Sequence, residues 1–244
     1  MKHHFVRTEN HRRFMSIISL LEGRGSSERC IGLITGDPGV GKTRTVDNWG
    51  SDVDAVLLEG ISGMNLRYIK DALKHETGVT ERGNFEMLKA LVKHFKESGA
   101  PIILDEAHHG LALKAECIEY LRRLAEKAEV MLILVCHTSE KHRFNKPGLE
   151  HISTRIGGIC ELQKPTIEDT AIFVRELCEV EVAPDLIAEI HKQSSARYRL
   201  IGDAVANIER IAAKMNKTAL QAADVSGFAL CQDWEKSLKY KGAR

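Results

Sequence analysis

The chain carries almost no net charge: 35 Lys and Arg face 34 Asp and Glu, for a formal net charge of +1. No global basic field therefore marks it for nucleic acid, and any such contact has to come from a local patch. Long apolar runs are also missing. The longest, Val130 to Cys136, is far too short to span a bilayer. The opening stretch MKHHFVRTENHRRF is polar and has no apolar core of the signal-peptide kind, so a cytoplasmic protein is expected. The six cysteines form no C-x-x-C pair, which excludes the usual zinc and disulfide frameworks and reads as reduced thiols. The eleven histidines are equally dispersed, and no repeat or low-complexity segment is visible. Against these absences stand 244 residues with 43% hydrophobic and 28% charged content. That is a normal soluble composition, enough for one large domain or a medium one with a small companion.

The most informative stretch is Ile31 to Thr43, IGLITGDPGVGKT. An apolar run leads into a Gly-rich loop and then Lys-Thr at the start of a helix, which fills the P-loop pattern at Gly36, Gly41, Lys42 and Thr43. The loop, Gly36, Asp37, Pro38, Gly39, Val40, Gly41, Lys42, Thr43 and Arg44, turns successive backbone N–H groups toward a phosphate, and the following helix adds its positive end. Lys42 then reaches the β- and γ-phosphates while the Thr43 hydroxyl ligates Mg²⁺. The pattern predicts binding of a nucleoside triphosphate, with ATP and Mg²⁺ as the expected pair.

Around this loop the hydrophobic pattern alternates strand and helix. A helix is expected from Thr8, as its cap, to about Leu21, with Phe14, Ile17, Ile18 and Leu21 as its apolar stripe. Strands are expected at 30–34, 55–58, 102–104, 130–136 and 159–162. Helices between them are predicted at 42–49, 65–75, 84–97 and 111–128. That order calls for a three-layer α/β domain with a parallel sheet. Pro165 marks a boundary, beyond which no strand pattern is convincing. Four helices are expected at 167–179, 184–193, 197–214 and 219–230, with capping boxes at Thr166-x-x-Asp169 and Thr218-x-x-Gln221. Residues 165–190 hold one basic and seven acidic side chains, and 191–244 hold ten basic and five acidic. The expected division is 1–164 for the nucleotide-binding part and 165–244 for a helical part with a basic tail.

Ile102-Ile103-Leu104-Asp105-Glu106 has the form of a Walker B element. A parallel strand delivers its last residues to the sheet edge where phosphates sit. Asp105 would hold Mg²⁺ directly or through water, and Glu106 would polarise the attacking water. A P-loop kinase of small metabolites is the competitor, but it usually lacks the adjacent Glu. Read literally, Asp105-Glu106-Ala107-His108 is a DEAH box, yet helicases of that kind need two tandem domains and there is room for one. His108 and His109 are adjacent, so both cannot face one ion from a regular element; they read as surface or site-lining side chains.

The order FVRT, P-loop, IILDEAHH, apolar strand with a polar tip, STRI, then ARYRLIGDAV resembles the AAA+ ATPases of DNA transposition, the Mu phage B protein, TniB and TnsC. The resemblance covers roughly residues 5 to 230. It departs from the family in lacking the Mu protein's N-terminal helix-turn-helix region. It departs again at Cys136-His137-Thr138, where relatives tend to have Gly-Thr or Gly-Asn. The resemblance implies a P-loop AAA+ domain with a five-stranded parallel sheet and a small helical lid. By position it makes Thr138 the sensor-one residue, with His137 as the alternative. Arg155 becomes an arginine finger acting on a neighbour's γ-phosphate, or else a surface ion pair. Arg199 becomes sensor two, with Arg197 close enough to exchange roles. Phe5 and Val6 become the lining of the adenine pocket, or packing under the first helix.

A finger acting in trans implies a homo-oligomer, a ring or a helical filament wound on DNA. The implied function is an ATP-dependent, sequence-tolerant binder of double-stranded DNA that marks a target and recruits a transposase, with hydrolysis stimulated by DNA. Arg67, Lys70 and Lys74 share one helical face and are the candidate DNA contacts, against the plainer reading of a solvated face. Lys236, Lys239, Lys241 and Arg244 form a second basic group. Two other functions share the same motifs: a loader or initiator for a replicative helicase, and an ATP-driven oligomerising switch that touches no DNA.

Overall fold

The computed structural model describes residues 1–234, so the basic group at 236–244 lies outside the described residues. Two compact units emerge. One comprises Arg13–Asp37 and Lys42–Leu162; the other comprises Met1–Arg12, Pro38–Gly41 and the chain from Gln163 onward. In this division the chain leaves the larger unit at 162/163, and the first twelve residues and the tip of the P-loop group with the C-terminal part.

The larger unit is built on strands β1 (Ile31–Gly36), β2 (Val56–Glu59), β3 (Ile102–Asp105), β4 (Leu132–His137) and β5 (Ile156–Leu162). All pair in parallel, in the order β2-β3-β4-β1-β5. Alternation along the strands sorts the helices. Leu33, Leu58, Ile102, Leu104, Leu132 and Leu134 join one continuous apolar core. Helices α3 (Leu66–Thr77), α4 (Asn84–Ser98) and α5 (Ala112–Ala128) supply Ile69, Leu73, Leu91, Phe95, Leu121 and Leu124 to it. Intervening positions face α1 (Glu9–Glu22) and α2 (Lys42–Asp52). Gly32 lies under Leu21, and Ile103 under Gly50 of α2. Phe14 of α1 packs edge-on against Trp49 of α2 with centroids 5.4 Å apart. With both faces covered, the strands read as near-continuous apolar runs.

Local signals set the helix ends. The Asn65 side chain accepts from Tyr68 N at the start of α3, and Gly78 (φ 70°) closes it in the left-handed region that glycine adopts without strain. The expected helix 111–128 is not continuous. A 3-10 turn spans Ala107–Leu111, and Leu113, Lys114 and Ala115 at the head of α5 all have positive φ. Three left-handed non-glycine residues in a row carry backbone strain, and no side-chain periodicity announces it. Strand β5 begins at Ile156, three residues before the expected start, after a short helix α6 (Glu150–Ser153).

The smaller unit packs α7 (Ile167–Leu177), α8 (Pro184–Gln193) and α9 (Tyr198–Met215) around Val174, Leu186, Ile190, Ile201, Val205 and Ile208. The capping box at Thr166 and Asp169 forms in full. Two expectations fail. Strands do occur after residue 165: β6 (Glu181–Val182) pairs in parallel with β7 (Ala219–Leu220). The predicted helix 219–230 is replaced by β7 and a 3-10 turn, Ala222–Val225, whose capping box uses Gln221 and Asp224 instead of Thr218. Gly227 at φ 83° and the short apolar spacing explain the failure, since no 3.6-residue stripe spans this segment. Among the described residues no helix is long and apolar enough to cross a membrane.

Candidate nucleotide site

Within the α/β unit, β1 ends at Gly36 and α2 begins at Lys42. Lys42 Nζ donates to Gly36 O at 2.8 Å and to Asp37 O at 3.2 Å, folding back over the start of the loop. Burial lowers the Lys42 pKa, while Glu106, Asp105, Cys136 and Asp37 pull the other way. A lysine so placed is close to several acids at the C-terminal edge of the sheet. Thr43 Oγ1 donates to Asp105 Oδ2 at 2.7 Å. These are the two oxygens expected to serve Mg²⁺, and they are near enough to share one small hard cation. Among the described residues no group of three His, Cys, Asp or Glu could hold a metal, so such an ion would take its remaining oxygens from phosphate and water. The donor set fits Mg²⁺. Arg44 is exposed. Asp47, one turn along α2, has its pKa raised by burial and by Asp105, with Arg44 opposing.

Glu106 follows Asp105 in the left-handed region (φ 48°, ψ 38°). Its N–H donates to Asp105 Oδ1 at 2.7 Å. Gly60, just after β2, is the other half of this turn. Its N–H donates to Asp105 O at 2.8 Å, and a Cβ on it would lie 2.5 Å from Glu106 O. Beyond β3, β4 runs in register with β1 so that His137 pairs with Gly36 and Cys136 with Thr35. His137 Nδ1 accepts from Ser139 N at 3.1 Å, which leaves its proton on Nε2. Thr138 follows as the first residue of the 3-10 turn Thr138–Asn145. Burial pushes the Cys136 thiol up to about 12, with Lys42 opposing, so it stays a neutral wall.

Within the helical unit the loop tip has its own partners. Gly39 and Gly41 have φ of 83° and 90°, open to glycine alone without strain. Tyr198 N donates to Gly39 O at 2.9 Å, and a Cβ on Gly39 would lie 3.1 Å from Arg197 Cβ. Of the two candidate lid arginines, Arg197 is therefore the one against the loop tip; Arg199 is exposed. Buried Asn10 donates to Val40 O at 3.1 Å and Gln163 O at 2.7 Å, and accepts from Gln163 N at 2.9 Å. Nothing in the sequence singles out Asn10, because its partners are distant in the chain. Val6 is buried, and half-buried Phe5 meets the His11 ring edge-on at 5.3 Å.

One candidate lies apart from this edge. Arg155 directly precedes β5, and its carbonyl accepts from Ile31 N at 3.2 Å. It thus sits at the opposite end of β1 from the P-loop, roughly 17 Å away at about 3.3 Å per residue. Its guanidinium pairs with Glu28 at 3.0 Å and Glu126 at 3.8 Å. Arg67, Lys70 and Lys74 line an open cleft of about 400 Å³ between α3 and the start of α4. In it Lys70 donates to Asn84 Oδ1 at 2.9 Å and lies 5.3 Å over the Tyr120 ring, while Arg67 pairs with Asp71 at 3.7 Å.

Residues 24–144 match the AAA domain family. No curated protein sequence matches the chain. The ORC2 protein of Aeropyrum pernix, solved with ADPNP and ADP, is similar at TM-score 0.65 and 19% identity, over 87% of this chain and 64% of that one. The RuvB Holliday junction branch migration motor of Thermotoga maritima is similar at TM-score 0.63 and 17% identity, over 97% and 76%. This chain therefore spans just under two thirds of the ORC2 protein. The family match and the strand order agree with the motif geometry: the fold is that of an AAA+ ATPase.

Proposed function

We propose that this chain is a Mg²⁺-dependent ATPase that assembles on double-stranded DNA in its ATP-bound form and recruits or activates a transposase there. The observation that carries the ATPase half is the Thr43–Asp105 contact at 2.7 Å, with Glu106 next in sequence and Lys42 beside both. Lys42 turns from the Gly36 and Asp37 carbonyls to the β- and γ-phosphates. Thr43 and Asp105 would hold Mg²⁺, which when bound would neutralise charge on the phosphates. Glu106 accepts a hydrogen bond from the attacking water and aligns it with the γ-phosphorus. Thr138, at the tip of β4, holds the water or the γ-phosphate. Arg197 takes the lid role expected of Arg199, because it is the one that meets the loop tip.

The remote position of Arg155 supports a role in trans. From the far end of the sheet it cannot reach the P-loop of its own subunit, since an extended arginine side chain spans less than half of roughly 17 Å. The α3–α4 cleft supports the DNA half, as does the likeness to a Holliday junction branch migration motor; the transposase rests on the motif resemblance alone.

The test is complementation of two inactive variants. Lys42→Ala should lose ATP binding and Arg155→Ala should keep it, and each alone should hydrolyse ATP at least about a hundredfold more slowly than wild type. Mixed, the Lys42→Ala subunit offers an intact finger to an intact Arg155→Ala pocket, and ATPase activity should partly return. Activity no greater than the sum of the two would remove the trans finger from the account.

A further inference from the structure

The backbone of Glu106 is held firmly, by Asp105 on one side and Gly60 on the other, but its carboxylate is not. Among the described residues no hydrogen bond fixes that carboxylate, and the side chain is 47% exposed. Its ion-pair contact is with His108, in the 3-10 turn that follows. His108 Nδ1 lies 3.4 Å from Glu106 Oε2. It is buried and makes no hydrogen bond, an unusual state for a polar atom in a folded interior. The ring itself is only 17% exposed. It lies against the His109 ring, with centroids 4.1 Å apart and planes inclined by 38°. Glu140 and Arg143, paired with each other at 2.5 Å, face it from the turn after β4. Burial lowers the His108 pKa, His109 and Arg143 add to that, and Glu106 and Glu140 oppose. The ring is therefore neutral near pH 7 and carries one N–H to place.

We propose that His108 is a positioning residue for Glu106: it donates its Nδ1–H to the Glu106 carboxylate and fixes that group on the attacking water. The inference rests on the reading of Glu106 as the group that aligns the water. A small reorientation of the ring toward the carboxylate, with a closure of a few tenths of an ångström, turns the 3.4 Å approach into a hydrogen bond, satisfies the orphaned Nδ1, and removes the rotational freedom of the carboxylate. The other ring nitrogen has no part in this, so the position requires a donor at Nδ1 and not merely a polar or aromatic side chain.

That requirement is testable, because an Asn amide can stand where Nδ1 stands, whereas a Gln amide stands nearer Nε2. In the full chain with Mg²⁺ and duplex DNA, kcat and KM for ATP are measured for His108→Asn, His108→Gln and His108→Leu, with Glu106→Gln in parallel. His108→Asn should retain most of the wild-type kcat. His108→Gln and His108→Leu should lose about ten- to a hundredfold in kcat, the size expected of a misplaced group, with KM little changed. Thermal unfolding of each variant separates this from loss of fold, and if His108→Leu does not fold the Asn–Gln pair carries the test. Equal loss in the Asn and Gln variants, or no loss in either, overturns the proposal. Wild-type hydrolysis by Glu106→Gln would instead overturn the reading of Glu106 on which it rests.

Discussion

A side chain at position 60 has nowhere to go. Its Cβ would lie 2.5 Å from Glu106 O and 3.0 Å from Asp105 O, and neither backbone atom can rotate away as a side-chain end could. Gly60→Ala should therefore push the Asp105–Glu106 turn outward, at a cost of about 1–3 kcal/mol in stability. A shift near 1 Å at Glu106 should lower kcat by about a hundredfold. ATP affinity, set mainly by the P-loop, should change much less. Steady-state kinetics with ATP-binding titration checks this; a Gly60→Ala protein with wild-type kcat would mean the turn accommodates the methyl group. At this scale Lys42, Thr43, Asp105 and Glu106 were legible in the sequence, because each motif is contiguous and its chemistry depends on residue type. Gly60 and Asn10 were not singled out, Arg197 stood only as the alternative to Arg199, and His108 only as a surface or site-lining histidine. Their contacts are with segments that periodicity does not connect, and adjacency to His109 argued only against a shared metal ion.

Among the elements, α5 shows where pattern reading succeeds and where it stops. Its buried face, with Ile118, Leu121 and Leu124, follows from helical spacing. Its left-handed head does not, since nothing in Leu113-Lys114-Ala115 favours positive φ. The same limit explains the missed β6–β7 pair: two-residue strands are too short for alternation to register. Further along α5, Arg122 is 8% exposed and grips Glu119 with two hydrogen bonds of 2.8 and 2.9 Å, while Arg123 also contacts Glu119. Burial by itself would raise the Glu119 pKa. The arginine hydrogen bonds outweigh it and hold the group at about 2 against an ordinary value of 4.5. A carboxyl depressed on folding stabilises the protein above its unfolded pKa, and that contribution is lost as the pH falls through the folded value. Stability should thus decline between pH 4.5 and about 2, and Glu119→Gln should flatten the decline. Denaturant midpoints across that range measure the effect; identical pH profiles for the two proteins would show that the grip of Arg122 and Arg123 adds nothing.

For the whole molecule, the five parallel strands were legible from apolar runs separated by helices, and the strand order agrees with the motifs lying at one sheet edge. How copies would meet under the proposed function was not legible, because such a surface would have no periodic signature. Here Arg155 and the α3–α4 cleft matter together. One stands away from its own phosphate loop, and the other offers each subunit only three cations, two of them already drawn to Asn84 and Asp71. Three contacts give weak binding alone, and many copies acting together give strong binding. The central claim is that ATP creates that joint action on DNA. Its most direct measurement is the affinity of the purified protein for a labelled duplex, with and without ATP, across a salt series. The account predicts at least a roughly tenfold gain with ATP, a steep fall in affinity as salt rises, little dependence on base sequence, and no ATP gain for Lys42→Ala. Equal affinity with and without ATP, or binding indifferent to salt, would contradict it.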